Sequence, residues 1–194
     1  MNPESFPAAS GRTAPARQQP AVWLIPLGVG AVVAVALGAY GRVHAPTYQP
    51  IITFGFSAML PMKAWLTTAA LLFCVVQVGT ALAMAGRFPG VRSRPGWLVP
   101  AHYWSGRTAF LLTVPVGFHC LYALGLQTPS ARVIAHGAVG CLFYGAFTTK
   151  MLLIGRRRAT GWVIAVAGGV VFAAIVELWL TSSLWFFTTI GVQT

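Results

Sequence analysis

Two histidines stand at mirror-image positions about a short polar turn. His119 and His136 flank the segment Gln127-Thr128-Pro129-Ser130, each about 8 residues from its midpoint, or ~12 Å along a helix. Both lie in apolar stretches long enough to cross a bilayer. Antiparallel helices joined by such a turn place these residues at equal depth. Paired imidazoles in that environment are costly unless something uses them. A haem iron takes one axial ligand from each side, so bis-histidine haem b is the first chemistry the pair suggests. Histidines that hydrogen-bond helices together are the second.

The neighbouring residues suit a flat apolar ring. Gly137 and Gly140 follow His136, with Gly145 beyond, and Gly117 and Ala123 flank His119. Small residues let helices or a macrocycle approach closely. Phe118, Tyr122, Phe143 and Tyr144 offer packing surface. Pro115, four residues before His119, removes a helix hydrogen bond and predicts a kink. Glu177 is the single acidic residue within a span and is expected at the histidine depth. It has three candidate roles: accepting the Nδ1–H of a ligand histidine, exchanging protons during quinol oxidation, or pairing helices as a buried carboxyl.

Other polar residues read more plainly. His102, in A-H-Y-W-S-G-R, lies off the His119 face and is expected as an interfacial or helix-start residue, which leaves no second haem site. His44 is expected in a loop, either as a loop histidine or lining an acceptor site. Arg107 and Lys150 are expected to snorkel to headgroups. Cys74, Cys120 and Cys141 fall in apolar runs without C-x-x-C spacing, so no disulfide framework, zinc site or iron–sulfur motif is expected.

The elements that must position these residues follow from composition. The chain is 57% hydrophobic and 8% charged, far from the quarter charged of soluble domains. It predicts an all-α, polytopic membrane bundle, since a spanning helix satisfies its own backbone. Five spans are expected at about 21–41, 62–85, 103–126, 131–154 and 161–187, after a Pro-, Ala- and Ser-rich tail (1–20) expected to be disordered. Ala34-Val35-Ala36 mimics a signal-peptide cleavage site, but the apolar run continues past it, so a retained helix is preferred. The loop Arg42–Pro61 has an apolar middle, IITFGFSAML, expected along the membrane surface or entering the second span.

The net charge of +11 would suggest nucleic acid in a soluble protein. Here topology and anionic headgroups account for it, and no nucleic-acid partner is expected. Arg12, Arg17, Arg87, Arg92, Arg94 and Arg156 to Arg158 share one side, against Arg42, Lys63 and Arg132 on the other. Positive charge stays cytoplasmic, so the N-terminus is expected inside, the chain in the plasma membrane, and the His119/His136 pair towards the extracytoplasmic face. Trp97, Trp104, Trp162 and Trp185 suit interfacial anchors.

The segments AHYWSGRTAFLLTVPVGFHC and ARVIAHGAVGCLFYG, within about residues 100–155, resemble an uncharacterised family of actinobacterial five-helix membrane proteins. More distantly they resemble transmembrane haem-b cytochromes of the ascorbate-dependent and ferric reductase kind. Those reductases carry four ligand histidines for two haems; here His119 and His136 alone match. The preferred reading of the residues is a membrane b-type cytochrome with one haem between the third and fourth spans, expected to pass electrons between quinol and an extracytoplasmic redox partner. The alternative from the residues is a non-redox accessory or scaffold subunit with structural histidines. A transporter would want more polar groups along a path than Gln77 and Glu177 supply.

Overall fold

A computed structural model describes residues 21–87, 95–156 and 161–194 of the protein. The expected tail (1–20) and most of the connector arginines, Arg92, Arg94, Arg157 and Arg158 among them, lie outside the described residues. The described chain is all-helical: α1 (Ala21–Val43), α2 (Met59–Met84), α3 (Leu98–Phe118), α4 (Ala131–Ile154), α5 (Gly161–Leu178) and a short α6 (Trp185–Thr189). π-Helical stretches extend α3 over His119–Leu124 and bridge α5 to α6 over Trp179–Leu184. With those extensions, five helices are long and apolar enough to cross a membrane.

The expected spans correspond to these helices, with one clear shift. The third begins at Leu98 rather than near residue 103. Pro100 falls in its first turn, where backbone N–H groups have no intrahelical acceptor and a missing donor costs nothing. His102 is therefore inside the helix. At the other end of the hairpin, Ser130 of the polar turn caps α4, its hydroxyl accepting from the Val133 N–H at 3.4 Å. That satisfies one orphan donor of the first turn. The apolar loop before α2 is irregular through Ser57, and Met59 and Leu60 enter the helix.

Consecutive helices are not all closest neighbours. α2 packs on α3, α1 on α4, and α4 on α5, while α2 also meets the π stretch after α5. The α1–α4 contact is made backbone to backbone at Gly30 and Gly145, where a Cβ on Gly145 would stand 2.9 Å from that of Ala34. Small residues permit this approach, which maximises dispersion contact where no hydrophobic force drives association. α3 and α4 meet instead through side chains. Phe110 stacks on Phe147 with centroids 3.9 Å apart, and the Tyr144 hydroxyl donates to the Thr113 carbonyl at 2.7 Å. Gly117 makes room for Tyr144: a Cβ there would lie 2.7 Å from its Cζ. The core centres on Ala70, Phe143, Val171 and Ile175.

The bundle has two distinct ends. The turn end gathers the α1–α2 loop (44–58) and the α3–α4 turn; at the arginine end α2 and α4 finish and α3 and α5 begin. Both π stretches lie towards the turn end. The first begins four residues after Pro115, where the expected disturbance of α3 takes the form of a widened helix. In the second, Thr181 and Ser182 return hydrogen bonds to the Glu177 and Leu178 carbonyls at 2.8 and 2.7 Å, bonds that compete with the α ladder.

Candidate functional site

His119 is 0% exposed and fully engaged. Its Nε2 accepts from the Ile51 and Ile52 backbone N–H groups at 3.2 and 3.4 Å. That fixes the proton on Nδ1, which donates to the Pro115 carbonyl at 2.7 Å. The ring thus faces the α1–α2 loop. Two further backbone bonds hold the same region, Tyr48 N–H to the Ala123 carbonyl (2.9 Å) and Leu126 N–H to the Gly41 carbonyl (2.7 Å). Gly125 makes the second possible with φ of 65°. The loop carries Tyr48 and Phe54 at φ of 55° and 52°, a region costly for bulky residues and kept only where the surroundings over-determine it.

His136 faces elsewhere. Its Nδ1–H donates to the Thr181 hydroxyl at 2.9 Å, because that hydroxyl directs its own hydrogen to the Glu177 carbonyl. The expected link between His136 and Glu177 therefore runs through Thr181 and the Glu177 backbone. The Glu177 carboxyl lies near His136, with Oε2 buried and without a hydrogen-bond partner. Arg132 adds a guanidinium bond to the Thr181 carbonyl and lies 4.1 Å from the Trp185 ring centroid.

A cavity of about 150 Å³ opens between α2, α3 with its π stretch, α4 and α5. His136, Gly137, Gly140, Cys120, Tyr144 and Lys63 are on its wall; His119 is not. The structure brings together His136 and the two glycines expected beside it, and turns His119 away. Pockets for drug-sized ligands and cofactors run to roughly 300–1,000 Å³, and a porphyrin needs a space in that range. With one imidazole committed to backbone amides and a gap of this size, the residues as arranged do not fit a bis-histidine haem.

Two features escaped sequence reading. Lys63, expected only as a topological charge, is 8% exposed and reaches the cavity. The Cys120 thiol lies against both Lys63 and His136. The available signal was position: Lys63 is the fifth residue of α2 and Cys120 adjoins His119. The second is a polar lock at the arginine end. His102 accepts on Nε2 from the Gln77 amide at 2.8 Å and donates from Nδ1 to the Thr80 hydroxyl at 3.0 Å. Ser105 completes it with a 2.8 Å bond to Gln77 Oε1. Gln77 and Thr80, three apart in an apolar helix, were the legible sign of a partner.

The remaining residues are placed simply. His44 stacks between Tyr40 (5.0 Å) and Tyr122 (4.8 Å), and Tyr122 stacks on Phe118. Arg107 is exposed with its guanidinium 3.7 Å over Tyr103. Lys150 is half-buried beside Cys74 and Gly168. All three cysteines are free.

Fold and site together define an all-helical bundle with five helices long and apolar enough to span a membrane, and with a histidine-pinned loop and a small, mostly apolar cavity. The chain belongs to a family of unknown function, DUF6529, whose model matches residues 22–194. Comparison with curated proteins and with solved structures gives no match.

Proposed function

We infer that the protein is a non-redox, multi-pass component of a plasma-membrane assembly, an accessory or scaffold subunit whose intramembrane histidines are structural. The carrying observation is His119, whose two ring nitrogens are both bound to backbone groups of its own chain. A ligand to iron needs a free nitrogen lone pair; His119 gives its own to the α1–α2 loop. His102 and His136 support the same reading, each joining two helical elements through a hydroxyl or amide. The loop that His119 fixes presents Tyr48, Ile51, Ile52 and Phe54 on the surface, a rigid apolar platform of the sort a subunit contact uses. The arginine distribution supports a cytoplasmic N-terminus, with that platform on the extracytoplasmic side.

Optical absorbance tests the reading. Protein purified in detergent from haem-replete cells is expected to lack Soret and α bands that shift on dithionite. A preparation that shows them, and loses them in both His119→Ala and His136→Ala, overturns it in favour of the one-haem cytochrome.

A further inference from the structure

Lys63 presents an electrostatic problem that the scaffold reading does not address. A lysine five residues into a spanning helix ordinarily extends its stem to the headgroups. This one is 8% exposed, on the wall of a mostly apolar cavity. Glu177 is the only acidic side chain among the described residues, and its titratable neighbour is His136. The group beside Lys63 is the Cys120 thiol. A buried ammonium with a thiol beside it and no carboxylate is disfavoured, and at membrane depth such a group is a binding-site candidate by default.

The other polar groups around the cavity narrow the ligand. The Tyr144 hydroxyl donates to the Thr113 carbonyl, and the Thr113 hydroxyl donates to the Phe110 carbonyl. His136 has committed Nδ1–H to Thr181, leaving Nε2 as its acceptor, with the Cys120 thiol as the neighbour a ligand would displace. The cavity therefore offers a cationic donor and a neutral acceptor on one wall, with Gly137 and Gly140 opening space along α4 and Phe143 and Ile175 as apolar surface. A carboxylic acid matches both: one oxygen takes the Lys63 N–H, and the other oxygen's proton goes to or stays shared with His136 Nε2. The volume sets the size of the body. A 150 Å³ apolar cavity accommodates a benzene-sized group, so the site holds a carboxyl head and its first few carbons.

We propose that the cavity between α2, α3, α4 and α5 is a binding site for a monocarboxylic acid with an apolar body, held by Lys63 and His136. The acid comes either from the bilayer, as a fatty acid, or from the aqueous side, as a small aromatic acid. The site does not rest on the scaffold role, but it requires that His136 not ligate iron, which the absorbance experiment decides separately.

The test is isothermal titration of the full-length protein in maltoside micelles, with a protein-free micelle blank. The probes are dodecanoate and benzoate, each against its methyl ester. At least one acid is expected to bind saturably at one site, with its ester weaker by roughly tenfold or more. Dodecanoate alone binding assigns a membrane source; benzoate alone assigns an aqueous one. Lys63→Met is expected to weaken the acid by roughly tenfold and Lys63→Arg to retain most of the affinity. Helix content by circular dichroism shows whether the variants are folded, and the acid–ester comparison on the unmodified protein stands without them. No saturable binding by either acid, an ester that binds as well as its acid, or a folded Lys63→Met with unchanged affinity overturns the proposal.

Discussion

At the arginine end, His102 sits on an unbroken α-helix, held between Gln77 and Thr80 of the next helix. At the turn end, His119 and His136 sit on or against π-helical stretches, bonded to a loop and to a threonine rather than to each other. Both ends place imidazoles among apolar side chains and bond them, His102 and His119 through both ring nitrogens and His136 through Nδ1. The first does so within regular geometry, side chain to side chain, with Phe110 and Phe147 stacked nearby. The second draws on backbone groups that the widened helices and the strained loop present, and it leaves a cavity. Closed packing with self-contained polar bonds reads as structure alone. Irregular backbone around an open space, with Lys63 and His136 on its wall, is where binding chemistry is concentrated, in keeping with the tendency of π-bulges to fall at functional sites.

The contrast can be broken by substitution at matched positions. His119→Ala should have the largest effect. It leaves a cavity and strands two loop amides, for a loss of about 3 kcal/mol in unfolding free energy. Hydrogen exchange at Ile51 and Ile52 should accelerate in that variant, and unchanged protection there would show that the loop does not depend on the ring. His102→Ala should lose about 1.5 kcal/mol, the upper range for polar contacts between membrane helices. Combining it with Gln77→Ala should add little further, which a double-mutant cycle in mixed micelles reads directly. Arg132→Ala should cost about 1 kcal/mol, since a charge-assisted bond and a ring contact go together. Arg107→Ala, exposed over Tyr103, should cost about 0.5 kcal/mol or less, measured in the same unfolding assay. An Arg107 effect larger than that of Arg132 would reverse the ordering of the two ends.

The helices were legible because a spanning segment needs a long apolar run and little else. Leu98 was missed as the start of α3 because Pro100 and His102 look like connector residues, and only the tolerance of a first turn for proline reconciles them with helix. The site was less legible for a geometric reason. Spacing from a turn fixes depth, whereas facing depends on rotation, and one residue is about 100° of an α-helix. His119 and Cys120 differ by that single step, and it is Cys120 that meets the cavity. Gly137, Gly140 and His136 were found together because they share one helix. Lys63 was passed over because a cation near a span end usually reaches water. Its burial is set by the tertiary packing around it, which no local pattern records.

The attachment of the α1–α2 loop has a mechanical consequence. Its amides are tied to His119, Tyr48 N–H is tied to Ala123, and the chain at Leu126 is tied back to Gly41. The loop is thus riveted to the π stretch of α3, which contributes Cys120 and Leu124 to the cavity wall. Whatever pushes on Ile51 or Phe54 from outside pushes on the segment that sets the width of that space. The loop and the wall segment that carries Cys120 are therefore parts of one hydrogen-bonded unit.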